Sequence, residues 1–515
     1  SGTGGNSATL NGTAYRFTIS NPPTSAQQLI VSVNGVIQKP NSGTGQPSEG
    51  FAINGSTIVF SAAPPSGADY FIVTVGSTVA IGTPSNNTVS TDKLQNLAVT
   101  TAKIAADAIT GAKIADDAVG TEHIASGSLL VTADGQYNTI VGTNAGDSFS
   151  GTDATNNTLF GYNAGTAITT GDNNTAVGKS ALIAETTGSK NIAIGNSALS
   201  SQDGAVNNVA VGYYALEQNT TGTNNSALGT FALDANTTGG SNTAIGLHAL
   251  GGNTTGSNST AVGYETLKAN TTGEPNTAFG FQALTDNTTG GSNIAVGDRA
   301  LGNNTTAHSN LAIGNLALFT QTTDGTKNIA IGNQSLYSNT SGDNNVAIGD
   351  SCLNANTTGG SNVAIGEYTL PLNTTGSNNI AVGKGALKSN TTAASNTAVG
   401  RDALYSNTTG TNNASLGYES LYYNTTADSN TAVGRKALHS NTTADNNTSV
   451  GTNSLYANTT GANNSALGKQ SLAANTTGAD NTSIGYYALA AATTASDNTA
   501  VGGNALEGCT TGGSN

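Results

Sequence analysis

Four histidines, two cysteines and 30 acidic side chains are the groups in this 515-residue sequence that could carry acid–base, nucleophilic or metal chemistry. Their spacing argues against all three. His123, His248, His308 and His439 share no ligand-like spacing with one another or with a cysteine, whereas a structural or catalytic zinc site needs three or four such donors held together. The carboxylates scatter, and nothing pairs two of them across a cleft as glycoside hydrolysis requires. Acidic turns such as Gly342-Asp343-Asn344 read as solvated turns rather than calcium loops. Cys352 and Cys509 read as two free thiols. The chain is therefore expected to be no enzyme, with no catalytic, metal or cofactor-binding residues. Tyrosines are the more interesting group. Tyr213, Tyr264, Tyr368, Tyr418 and Tyr486 lie one or two residues after a recurrent glycine, and Tyr337, Tyr405, Tyr422 and Tyr456 just after a recurrent leucine, at positions that otherwise vary. Outward tyrosines on a rigid support are candidate contacts for a surface glycan; the simpler reading is that they cover an outer wall.

The elements that must position these side chains are set by a repeat, and fixed-period self-similarity outranks any local secondary-structure signal. From residue 138 onward a glycine preceded by Val, Ile, Leu or Phe recurs in 22 units, from Gly142 to Gly502. The spacing is 17 residues except for 19 at the first step and 18 between Gly314 and Gly332. With this glycine as position 0, position +4 is Leu in every unit from Leu182 to Leu506, and position −2 is Ala or Ser from Ala176 onward. Position +7 is usually Asn, opening an Asn-Thr-Thr-Gly segment. That triplet satisfies a glycosylation sequon, but its periodicity reads better as a corner with a stacked amide.

Gly, Asn and Thr are weak helix formers, and two or more glycines per unit would cost a helix about 1 kcal/mol each. The x-Ala-Val segment alternates with the period of a strand. Each unit thus reads as one coil of a parallel β-solenoid: short strand, corner, short strand, corner. Coils stack at the strand spacing of about 4.8 Å, so 22 of them extend roughly 100 Å. Cys352 and Cys509 then lie nine coils apart, roughly 43 Å, beyond the reach of a disulfide.

The expected core stacks the residue before the glycine on its counterparts, and Leu on Leu. Gly178, Leu182 and Val177 represent it in one coil, Gly263, Leu267 and Val262 in a second, and Gly400, Leu404 and Val399 in a third. A bend at the glycine would let the apolar residue and the Leu, five apart, both face inward. Asn over Asn at position +7 would form a ladder. The small Ala/Ser face of the strand would then suit another copy of the chain, with a homotrimer expected.

The rest of the chain divides as follows. Residues 1–80 read as a small antiparallel β-sandwich-like domain, with Asn34-Gly35 and Asn54-Gly55 as two-residue hairpin signals. Residues 81–91 are a polar linker. Residues 92–127 carry an apolar residue every fifth position from Leu94 to Ile124, read as an intertwined multi-chain neck. Residues 128–515 are the solenoid. A net charge of −14 disfavours nucleic acid as a partner, and no apolar run is long enough to insert in a membrane as a helix. There is no initiator Met, and the sequence stops inside a coil, so a processed or excerpted product is expected.

Two resemblances carry the functional expectation. Asn191-Ile192-Ala193-Ile194-Gly195 and Asn345-Val346-Ala347-Ile348-Gly349 resemble the head repeat of YadA-like trimeric autotransporter adhesins, whose heads are trimeric parallel β-rolls with somewhat shorter repeats. The segments Val33-Asn34-Gly35-Val36-Ile37-Gln38-Lys39-Pro40 and Ala62-Ala63-Pro64-Pro65-Ser66-Gly67-Ala68-Asp69-Tyr70 resemble tail-fibre and virion structural proteins of marine cyanophages, and the Thr101-Ala102-Lys103-Ile104-Ala105 neck is similar to segments of the same proteins. The resemblance implies a phage tail fibre: virion-borne, extracellular and homotrimeric. Its N-terminal domain would join a baseplate or adaptor protein, and its rod would meet a host cell-surface glycan or protein. The alternative is a trimeric autotransporter-like cell-surface adhesin. An ice-binding solenoid is disfavoured, because the paired threonines lie beside a corner and not on a flat strand.

Overall fold

The structure is a computed structural model that describes residues 10, 12–75, 132–133, 136–150 and 153–514. The chain divides into two compact units, Ser1–Ala118 and Val119–Asn515. The expected linker at 81–91 and neck at 92–127 lie outside the described residues.

In the first unit, seven short strands form two sheets. One pairs β1 (Arg16–Thr18), β6 (Thr57–Phe60), β5 (Phe51–Asn54) and β4 (Pro40–Asn41). The other pairs β3 (Val36–Ile37), β2 (Leu29–Val33) and β7 (Tyr70–Thr74). Both hairpin signals sit where expected, between β2 and β3 and between β5 and β6. Asn34 and Gly35 both take positive φ, 50° and 77°, as a twisted two-residue turn requires. Phe17, Leu29, Val31, Phe51, Ile58 and Phe60 form the core.

The second unit is a long parallel β-solenoid. Twenty-two strands, β9 (Thr139–Val141) to β30 (Thr499–Val501), pair in parallel with their neighbours in sequence; β8 (Thr132–Ala133) adds an antiparallel edge. Each strand covers positions −3 to −1 of its coil, and register is strict: Ile192 meets Val209, Ala193 meets Ala210, Ile194 meets Val211.

Which side faces in differs from expectation. The Ala at position −2 is buried in every coil from Ala176 onward where it occurs, whereas Val177, Val262 and Val399 are half-buried on the outer face. The Leu column behaves as expected: Leu182, Leu267 and Leu404 have no exposed surface. The reason lies in the corner. Positions +2 and +4 both adopt left-handed backbone, as at Ser180 (φ 58°) and Leu182 (φ 51°). That arch turns two successive residues inward, so Ala181 and Leu182 are both fully buried, which a strand forbids. The expected second strand is therefore a run of turns. Its coils are still bonded to one another, for example through the Leu199 amide to the Ala215 carbonyl at 3.1 Å. A left-handed residue costs about 1–2 kcal/mol; burying a leucine returns about 1.5–3 kcal/mol.

The small-residue face is thus filled by the chain's own Leu column, with which it forms one continuous core. The sequence argument that this face meets another copy is overturned. In the first two coils Gly146 and Gly165 take the left-handed slot at +4 (φ 58° and 57°), and Leu159 and Ile168 fill the core in its place.

Two amide ladders run beside the apolar core. The expected one, at position +7, links Asn219, Asn236, Asn253, Asn270, Asn287 and Asn304, each side-chain amide donating to the carbonyl oxygen of the Asn before it at 2.7–2.8 Å. Gln321 interrupts it, and a second run continues from Asn339 to Asn475. These asparagines are fully buried, so the sequon cannot be read on the folded chain. The other ladder, at position −4, was not anticipated. Asn208 donates its backbone N–H to Asn191 Oδ1 at 2.9 Å and its side-chain amide to the Gly222 carbonyl at 2.8 Å, and the pattern repeats along the solenoid. Cys352 sits in the small +3 site, where burial pushes its thiol up to about 12. Neither cysteine forms a disulfide.

The +7 ladder stops at Asn475, whose Oδ1 is buried without a hydrogen-bond partner, because the next coil offers Ala492. Coil 492–495 otherwise repeats the Asn-Thr-Thr-Ala of 424–427. Ala492→Asn should let a new amide donate to Asn475 Oδ1 and to the Ala495 carbonyl, as Asn424 does to Asn407 and Ala427. We expect the last coils to gain about 1 kcal/mol, measured as slower amide exchange over residues 475–510. Unchanged or faster exchange would count against the ladder as a source of stability.

Candidate surface-contact wall

Positions +1, +2 and +5 share one outer wall. His439 at +5 reaches Glu419 at +2 (Nε2 to Oε2, 3.6 Å), and Lys268 at +5 reaches Glu265 at +2 (2.6 Å). Strict register converts a sequence recurrence into a physical column along this wall.

Of the five candidate tyrosines, Tyr213, Tyr264, Tyr418 and Tyr486 occupy one such column at +1 and Tyr368 lies at +2; all are 37–53% exposed. They do not form a cluster, because three to six coils separate consecutive members. Four of them have their own local partners. Tyr213 packs on Tyr214 (centroids 4.1 Å apart) and Phe231 (5.6 Å). Tyr264 stacks on Phe281 (5.2 Å). The guanidiniums of Arg401 and Arg435 lie 5.7 and 6.0 Å from the Tyr418 ring, and the Lys469 ammonium 5.7 Å from that of Tyr486.

A denser arrangement lies at +5, where Tyr405, Tyr422 and Tyr456 are outward as expected but stack through His439, which was not expected. Tyr405, Tyr422, His439 and Tyr456 occupy four successive coils, with ring centroids 4.9, 5.4 and 5.0 Å apart and planes within 8–14° of parallel. Lys388 caps this stack, its ammonium 2.9 Å from the Tyr405 hydroxyl and 5.0 Å from the ring centroid. That hydroxyl contact raises the Lys388 pKa above the ordinary lysine range. Burial, with the Lys436 ammonium nearby, holds His439 below the usual histidine range. A hydrogen bond with Tyr418 does the same for the Glu419 carboxyl. The signal is present in the sequence as four ring-bearing residues 17 apart; the three tyrosines are legible as outward residues after the Leu, whereas His439 reads as an isolated histidine.

The wall offers ring edges, hydroxyls and cations, a surface suited to polar recognition. Among the described residues no group of three His, Cys, Asp or Glu side chains could hold a metal ion, and no helix is long and apolar enough to cross a membrane. The chain matches no protein-family model, no curated protein and no solved structure.

Proposed function

We propose that this chain is a structural fibre of a phage virion, a homotrimer whose solenoids act as a stiff spacer between the particle and the host surface. The N-terminal unit, with its two sheets read as a sandwich-like module, attaches to a baseplate or adaptor protein. The outer wall meets a host glycan or protein, and many weak identical contacts add up through avidity.

One observation carries the assembly. Positions −3 and −1 face outward in all 22 coils, and none of these residues is charged. Position −1 is always a large apolar residue, and Phe160, Leu228, Phe279, Leu416 and Leu467 are exposed. This stripe, about 100 Å by 7 Å from strand geometry, presents roughly 700 Å². The −3 column mixes Thr and Ser with Val and Ile, as an interface does, and a standard interface takes about 800 Å² from each partner. In a chain carrying −14, an uncharged wall is also where a like-charged copy can approach. The interface thus moves from the small-residue face to the Val/Ile face.

The test is the native mass of the intact chain by light scattering. About 152 kDa, three times the chain mass of 50.8 kDa, is expected, falling to the single-chain value in Ile331→Lys/Ile348→Lys/Ile365→Lys, whose side chains point outward. A single-chain mass for the wild type would sink the assembly. The alternative, a trimeric autotransporter-like cell-surface adhesin, shares this mass and is separated from the fibre by whether antibodies to the chain label particles or cells.

A further inference from the structure

The chain's positive charge is concentrated in one place. Six of its 16 basic residues, Lys384, Lys388, Arg401, Arg435, Lys436 and Lys469, fall within six successive coils. All lie at +1, +2 or +5, on the aromatic wall. Residues 384–469 hold only four acidic residues, so this stretch has a surplus of two positive charges in a chain at −14. Two of the four, Asp428 and Asp445, sit at +11 and bond backbone amides of neighbouring coils at Thr411 and Asp428. On the wall itself Lys384 pairs with Glu367 (2.9 Å), Arg401 with Asp402 (3.0 Å) and Lys436 with Glu419 (3.1 Å). Lys388, Arg435 and Lys469 make no ion pair among the described residues. This leaves their charge to an external anion along roughly 24 Å of wall, five strand spacings.

We infer that the coils from Lys384 to Lys469 form a binding strip for an acidic polysaccharide lying along the solenoid axis. The geometry selects this class of polyanion. Single-stranded nucleic acid is held by stacking its bases on free aromatic faces. Here most faces are taken: Tyr405, Tyr422 and His439 are covered on both sides, by Lys388 and by one another, Tyr456 on one side, and two guanidiniums flank Tyr418. What remains outward are phenol edges and cations. These suit a chain rich in hydroxyls that carries fixed negative charge, and they offer no slot for a base. The cations in the +1 column, Lys384, Arg401, Arg435 and Lys469, are one or two coils apart, so successive acidic groups of an extended chain can each find a partner. The strip deepens the host-surface contact proposed above, and its test reads binding rather than mass, so either can fail without the other.

The experiment measures binding of the intact chain by calorimetry to dextran sulfate, to neutral dextran and to poly(dT) at low and moderate salt. Dextran sulfate should bind, more weakly as salt rises, and neutral dextran should not. Lys388→Gln/Arg435→Gln/Lys469→Gln should lose about tenfold or more in affinity, since rim charges set the attraction. Lys179→Gln/Lys190→Gln/Lys327→Gln removes the same charge outside the strip and should stay within about twofold. Circular dichroism and thermal melting confirm that both variants remain folded. Equal losses in the two variants, no binding by the wild type, or tighter binding to poly(dT) would each overturn the inference.

Discussion

Gly349→Ala is expected to cost the coils around it about 4 kcal/mol or more, a size reached only by a short set of mechanisms, backbone strain and overpacking among them. Gly349 has φ of +140°, a conformation that side chains rarely adopt and that costs on the order of 1–3 kcal/mol. The second cost is larger. A Cβ built there would lie 2.4 Å from the Gly366 carbonyl oxygen and 2.6 Å from its carbon, both backbone atoms of the next coil. No rotamer relieves that clash; the two coils must part, and the bond from the Gly366 amide to the Ile348 carbonyl (2.8 Å) goes with them. The fold supplies its own control. Gly502 has nearly the same conformation (φ +125°), but no coil follows it, and its Cβ would meet nothing nearer than Ala505 Cβ at 3.9 Å. Gly502→Ala should therefore cost only the conformational part, about 1–3 kcal/mol. Because a solenoid's stability is a sum of nearest-neighbour terms, the readout is local amide exchange over residues 332–383 and 485–514, besides global unfolding in urea. Equal losses at the two glycines would mean that coil-to-coil contact does not fix this column.

The same close approach explains why so much of the fold was legible. Stacked identical coils allow an error at one position to be repeated or rejected 22 times, so the period, the glycine column, the Leu column and the +7 ladder all survive as sequence signals. The direction of the strand was not legible. Val177 and Leu182 are five residues apart, and placing both inside requires only an unspecified bend. Placing Ala176 and Leu182 inside requires the paired left-handed residues Ser180 and Leu182, which leucine propensity gives no reason to expect. The volume available decides between them: with Leu182 and Ala181 both turned inward, a strand approaching from the opposite side has room for Ala and none for Val. The −4 ladder was visible as an Asn recurring at all but one coil, where Ser259 stands. It was passed over because a polar residue beside a strand reads as a turn. At the candidate wall, the tyrosines at +1 and +2 and those at +5 were legible as outward residues because they follow the glycine or the Leu. The stack at +5 needs the knowledge that the coils keep strict register through a corner that is not a strand.

Asn373→Leu tests the ladders. The substitution keeps the side chain close to its original size, so a cavity is not the cause of any loss. It removes an amide that donates to Asn356 Oδ1 at 2.9 Å and to the Gly376 carbonyl at 2.9 Å, and a carbonyl oxygen that accepts from Asn390 at 2.8 Å. All three asparagines are fully buried, so water cannot take over these bonds. Asn356 Oδ1 loses its donor, whereas the Gly376 carbonyl keeps the Asn362 amide, at 2.9 Å. The Asn390 amide keeps only the Ala393 carbonyl, at 3.1 Å. Each buried polar group left unpaired costs about 1–3 kcal/mol; the added apolar contact offsets part of this, and a net loss of about 3 kcal/mol is expected. Thr375→Ala, at the exposed +9 position of the same coil, should change stability by no more than about 0.5 kcal/mol. Exchange protection over residues 345–400 should fall in the first variant and hold in the second. If Asn373→Leu instead left protection unchanged, the apolar column alone would suffice to stack the coils, and the ladders would serve only to set their register.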